Sequence, residues 1–341
     1  MTGRTLLRWI ILLTIVAFPA RLSAEPVEDF YKGKQIRLIV GSSPGDGYDL
    51  WSRLIARHLA RHVPGRPGIV VQNMPGAGTI TATNHLFSVA PKDGTVFGSF
   101  SRSLPSQAVL NRPNIRFDPR QFGWLGSPET VNRVWTVSAS SKAKTIDDVF
   151  TQEILMGGIG AGMVPTFLPT ILNKLMGTKF RVVEGYGSTN AVFLASERGE
   201  VDGICMASST LLGPRYDLIE KGTLKILFSM EAKPMTAVPD VPTMFARLKT
   251  NEQRQIVGFI NAALEYGRPF AAPPGIPPER LAALQAAFRA TLQDAEFLAE
   301  AKQMKYQITY TSPDELTALT ERMYATPQEI LEQAAAMMPN D

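Results

Sequence analysis

Residues 35–99 alternate between two kinds of apolar pattern, and that alternation constrains the fold more than any other feature of the chain. QIRLIV over 35–40 reads as a short β-branched strand. Residues 49–62 carry Leu50, Leu54, Ala56 and Leu59 near helical spacing, with Asp49 placed to cap the helix start. GIVVQN over 68–73 is a second strand. Thr79 or Thr81 opens a second helix running to about Ala90, and 95–99 is a third strand. A β-α-β-α-β run with short Gly/Pro turns predicts a parallel sheet flanked by helices.

The middle of the chain repeats the idiom. Strands are expected over 154–158, 180–183, 203–206 and 225–229, with helices over 166–176, 188–197 and 214–221 between them. The last third reads as helices over 251–264, 278–293, 295–305 and 313–324. A short apolar strand over 268–272 interrupts them before the Pro-rich turn at 273–278. Two α/β stretches in 341 residues predict two lobes with a cleft between them.

The N-terminal residues read as an address. Arg4 and Arg8 precede an uncharged apolar run over 9–18, and the segment ends in Leu22-Ser23-Ala24. This is the layout of a secretory signal peptide over 1–24, cleaved after Ala24, with export to the periplasm. The alternative is an anchor helix, but the run is too short for about 30 Å of hydrocarbon. Removing Arg4, Arg8 and Arg21 leaves 32 basic against 31 acidic residues, with no basic cluster. Nucleic acid and anionic membrane surfaces are therefore poor partners. Cys205 is the only cysteine, so no intramolecular disulfide forms, and its small and apolar neighbours predict a buried, inert thiol.

Ligands in open α/β sheets bind where strand-ending loops lead into helix N-termini. Four loops here are rich in glycine or small polar residues. The first holds Ser43, Gly45, Asp46, Gly47, Tyr48 and Asp49, and the second Gly76, Ala77, Gly78 and Thr79. The third holds Gly160, Gly162 and Met163, and the fourth Tyr186, Ser188 and Thr189. Each by itself is ordinary turn chemistry. Four in one context point to backbone N–H groups gathered around a small anion. Arg102, beside Ser101 after the third strand, is the candidate counter-ion. Ser208 and Ser209 are candidate donors from the second lobe, with Trp135 and Met163 as weaker wall candidates.

Catalytic constellations are missing. Gly41 to Gly45 spells G-x-S-x-G, but Pro44 follows the serine and has no N–H for an oxyanion hole. The three histidines, His58, His62 and His85, all come early, against the late histidine of that triad. His58 and His62 have metal-ligand spacing, yet Arg57 and Arg61 flank them and mark a solvated face. No cofactor or metal is expected, and the pattern favours a solute-binding protein over an enzyme.

The residues resemble the Bug, or TctC-like, periplasmic receptors of tripartite tricarboxylate transporters. The resemblance is carried by KQIRLIV over 34–40, the 45–49 loop, VVQNMPGAG over 70–78 and APKDGT over 90–95. It continues in GEVDG over 199–203, VPDVPT over 238–243 and APPGIP over 272–277. It implies an α/β, type II two-lobed periplasmic-binding-protein-like fold, with 25–127 and 230–341 in one lobe and 128–229 in the other. It implies a monomer that closes on a small organic anion, mostly a carboxylate, and delivers it to the large and small subunits of a membrane permease. The implied ligand loops are 45–49, 76–79, 158–163 and 186–190.

The family usually has consecutive glycines and a hydroxyl residue before the loop-ending Asp49, where this chain has Asp46 and Tyr48. A carboxylate at 46 either points to solvent or meets a donor on the ligand, and Tyr48 suits a larger or aromatic acid. A ligand-sensing receptor feeding a sensor kinase, or an exported enzyme acting on a small carboxylate, are the alternatives.

Overall fold

The computed structural model describes residues 25–338, apart from 160–162, 213–214 and Thr236. The expected leader over 1–24 therefore lies outside the described residues, as do Gly160 and Gly162. Two five-stranded sheets organise the molecule.

The first sheet contains β1 (Gln35–Val40), β2 (Gly68–Asn73), β3 (Val96–Ser99), β4 (Gly123–Gly126) and β10 (Phe270–Ala272), in the order β2-β1-β3-β10-β4. β1 runs parallel to both β2 and β3, as the crossover pattern requires. β10 pairs antiparallel with β3 and β4. The second sheet contains β5 (Arg133–Ser138), β6 (Ile154–Gly157), β7 (Phe180–Val183), β8 (Gly203–Ala207) and β9 (Leu224–Ser229), in the order β7-β6-β8-β5-β9. β6 is parallel to β7 and β8, while β5 runs antiparallel between β8 and β9.

Two strands fall outside the expected set, β4 and β5. RVWTVS over β5 is buried at every position, so no polar alternation marks it. The chain passes from the first sheet to the second through 127–132 and returns after β9. The two passages touch where Gly267 (φ +60) lies against 129: a Cβ there would fall 1.5 Å from the Glu129 carbonyl oxygen. Only glycine fits that approach. Ser127 ties the same place together, donating to the Glu129 carbonyl and accepting from Arg268 N–H at 2.9 Å.

One core cluster carries Trp124 from the first sheet and Trp135 from the second. Trp135 is fully buried and stacks on Phe228 with ring centroids 4.7 Å apart, so it is core rather than a cleft wall. Cys205 is buried, and burial pushes its thiol up to about 12, as an inert thiol requires.

The Gly47–Leu59 and Ala295–Gln303 helices are cross-linked by charge. His58 Nε2 meets Glu300 at 2.7 Å and His62 Nε2 meets Asp294 at 3.0 Å. His58 is buried rather than solvated, because Phe297 and Glu300 cover it. Ligand atoms of His58, Asp294 and Glu296 converge within 4.8 Å. The Arg61 guanidinium bonds to both His58 and Glu296, so a positive charge already fills that place. Among the described residues no helix is long and apolar enough to cross a membrane.

Candidate functional site

The turn after β1 is built by two aspartates with exchanged roles. Asp46, not Asp49, caps the Gly47–Leu59 helix: its backbone is extended and its Oδ1 accepts from Tyr48 N–H at 2.9 Å. Asp49 sits inside the first turn, 1% exposed. Its carboxylate accepts from Gly45 N–H at 2.7 Å, Arg53 Nε at 2.9 Å and Asn73 Nδ2 at 2.8 Å. Asn73, at the end of β2, also donates to the Ser42 carbonyl. Burial pushes the Asp49 carboxyl up, but the hydrogen bonds from Arg53, Gly45 and Asn73 outweigh it and the net shift is downward. Asp49 thus positions the loop. Asp46 is exposed and spends its oxygen on the helix start, so it meets the first of the two cases for an extra carboxylate. Ser43 serves the turn through its carbonyl, which accepts from Asp46 N–H.

The 76–79 turn is strained. Gly76, Ala77, Gly78 and Thr79 all have positive φ, and the first three are exposed. Ala77 at +45° and Thr79 at +80° persist only because the surroundings hold them. Thr79 is buried, and its Oγ1 accepts from Ser101 N–H at 2.9 Å. The Ser101 hydroxyl pairs with Ser103 at 2.9 Å. The next residue, Arg102, donates its N–H to the Tyr48 hydroxyl at 3.1 Å. The first two predicted loops and the 101–103 turn therefore form one continuous wall at the carboxyl ends of β1 and β3.

Arg268 closes this wall. A Cβ on Gly47 would lie 3.1 Å from Arg268 Nη1, and the guanidinium carbon lies 5.0 Å from the Tyr48 ring centroid. Arg268 Nε bonds Glu129 at 2.8 Å, and Glu129 accepts from the Ser209 hydroxyl at 3.1 Å. That chain of contacts runs from the first sheet's loop to the helix after β8. Ser209, not Ser208, makes the side-chain contact; Ser208 is buried and its N–H goes to the Asn132 carbonyl.

The loops of the second sheet behave differently. Ser188 caps the Thr189–Glu197 helix, its hydroxyl accepting from Ala191 N–H at 3.2 Å. Tyr186 packs, partly buried, on the Val192 and Val201 cluster, and burial, with the charge of Glu200 adding to it, raises its hydroxyl above the ordinary range. Met163 is 54% exposed at the start of the Val164–Met176 helix.

A cavity of about 220 Å³ opens between this helix, the Leu104–Val109 helix and the Asn251–Glu265 helix. Its walls are mainly apolar, from Val164, Phe167, Leu168 and Ile260, with Arg102 and Arg112 among the lining residues. Of the residues singled out from sequence, Arg102 alone lines it.

A family model described as "Tripartite tricarboxylate transporter family receptor" matches residues 52–335. The chain belongs to this receptor family. The receptor is 26% identical over 283 residues to a UPF0065 protein of Bordetella pertussis, covering 81% of each chain. Its fold matches a ligand-free TctC solute-binding protein from Polaromonas with a TM-score of 0.71 and 19% identity, over 89% of this chain and 99% of that one. It matches an R. palustris protein with adipate at a TM-score of 0.56 and 18% identity, over 89% and 97%. At these identities the structures establish the fold, a two-lobed solute-binding architecture.

Three charged residues beside the Tyr48 and Arg102 wall were not singled out from sequence. Arg268 reads as the first residue of an apolar strand, Glu129 lies in an unassigned stretch, and Arg133 opens the unanticipated β5. Only chain topology brings them beside Tyr48 and Arg102.

Proposed function

We propose that this receptor captures a small organic acid between its two lobes, in the periplasm, and hands it to the large and small permease subunits of a tripartite tricarboxylate transporter. The observation that carries this reading is the cavity between elements of the two sheets, apolar in its walls and lined by Arg102. An apolar slot with few polar groups binds and orients a small molecule. The adipate held by an R. palustris protein of the same fold supports a carboxylate. In this reading 25–127 and 230–341 form one lobe and 128–229 the other, with cleavage of the leader after Ala24 and a monomer in solution. In this reading the chain binds its ligand and releases it unchanged, a role supported by its membership of a receptor family. Closure is favoured by as much as the ligand prefers the closed state.

The test is a thermal-shift screen against mono-, di- and tricarboxylates and aromatic acids. A ligand at a hundredfold excess over its Kd raises stability by about 2.7 kcal/mol. A hit recovered chemically unchanged is the expected result. Turnover of the hit, or no shift with any acid, would sink the proposal.

A further inference from the structure

We infer that Arg102 and Arg133 form an anion subsite that spans the two sheets and makes this receptor select ligands bearing a second acidic group. The inference rests on the carboxylate-receptor reading and goes further, to the charge of the ligand and the residues that read it.

Arg102 follows β3 of the first sheet, and Arg133 opens β5 of the second. Arg133 is 8% exposed, and its Nε is buried without a hydrogen-bond partner. Neither guanidinium has an ion-pair partner among the described residues. Glu129 acts on Arg133 only at a distance, because its carboxylate is already bonded to Arg268 and Ser209. Burial, together with the neighbouring charge of Arg102, pushes Arg133 down to about 10, which still leaves it charged at neutral pH. The side chain of the preceding residue, Asn132, also has a buried Oδ1 with no partner.

Arg102 lines the cavity, and Arg133 lies close enough to feel its charge. Side chains at 133 and 135 share one face of β5. Trp135 on that face belongs to the cluster containing Leu168 and Ile260, which also line the cavity, and Arg102 lines it directly. A buried, unpartnered guanidinium is costly unless an anion answers it. The half-buried Arg102, in the turn after β3, adds a second positive charge that repels Arg133. An anionic group placed between them is drawn to both and ties the sheets together. One carboxylate meets the loop wall and the second meets the arginine pair.

The experiment is calorimetric titration of the purified protein with C4 to C8 α,ω-dicarboxylates beside the monocarboxylates of equal length. The expected result is a preference of at least about tenfold for the dicarboxylate of the best length. Arg133→Gln and Arg102→Gln should each abolish that preference, the dicarboxylate losing at least about tenfold more affinity than the monocarboxylate of equal length. Arg133→Lys should restore part of it, because charge is kept and the fork is lost. If Arg133→Gln does not fold, the less buried Arg102→Gln decides the matter by the same ratio. Equal affinity for the two series in the wild type, or a preference that survives both substitutions, overturns the subsite but leaves the receptor reading standing. Binding of neither series overturns that reading, and the subsite with it.

Discussion

Asp49 accepts hydrogen bonds from Gly45, Arg53 and Asn73, and through them holds the β1 turn against the end of β2. Removing the carboxylate strands these donors, at about 1–3 kcal/mol for a buried group left unsatisfied. Asp49→Ala should therefore lower the stability to urea by that amount, measured at pH 7. The folded carboxyl is held below its ordinary range, so its contribution is present above that range and lost as pH falls through the folded value. The difference between wild type and variant should accordingly shrink in acid. Sequence could not separate Asp46 from Asp49, because aspartate three residues apart satisfies both the cap and the third helical position. The 76–79 turn offers a cleaner probe. Gly78 has φ +59° and open space where a Cβ would go, so Gly78→Val strains the backbone without a clash. It should weaken acid binding by roughly tenfold, about 1.4 kcal/mol. An unchanged Kd by titration calorimetry would take this turn out of the site.

At the scale of elements, most of the longer helices were legible from their apolar period, but the Gln328–Met337 helix was not among those expected. The Pro313–Tyr324 helix begins and ends where its pattern predicts, with Ser312 and Glu315 forming a capping box. β5 was not legible, because a strand covered on both faces shows no alternation. The contact between the Gly47–Leu59 and Ala295–Gln303 helices was also invisible, since its partners are more than 230 residues apart. Glu300 receives Arg57 and His58, yet the arginine is half exposed. Partly exposed pairs contribute about 0–1 kcal/mol each, and salt screens them. Glu300→Gln should lower Tm by only a few degrees at low salt, with the loss shrinking in about 1 M NaCl, where screening is nearly complete. A loss that salt leaves untouched would mean that buried hydrogen bonding, not charge, joins these helices.

Across the whole molecule, the return from the second sheet to the first carries a pair of partly buried acids. Glu231 follows β9, and Glu265 ends the Asn251–Glu265 helix; both line one groove. Burial pushes Glu231 up to about 7, and the charge of Glu265 adds to it. A carboxyl raised in the folded state favours the protonated form, so its contribution is full below the ordinary value and lost as pH rises through about 7. Glu231→Gln should thus melt higher than wild type at about pH 8 and match it near pH 4.5. The reverse order in a pH series of Tm values would refute this. Two α/β units, most of the helices, the glycine-rich loops and an inert cysteine follow from the sequence alone. They depend on period, turn chemistry and local burial, which are properties of neighbouring residues. The antiparallel insertion of β5, the exchange of roles between Asp46 and Asp49, and the gathering of Arg102, Arg133, Glu129 and Arg268 were decided only by tertiary structure. Charge is read by whatever lies within a few ångströms, and here those neighbours come from segments up to 166 positions apart that no local pattern connects.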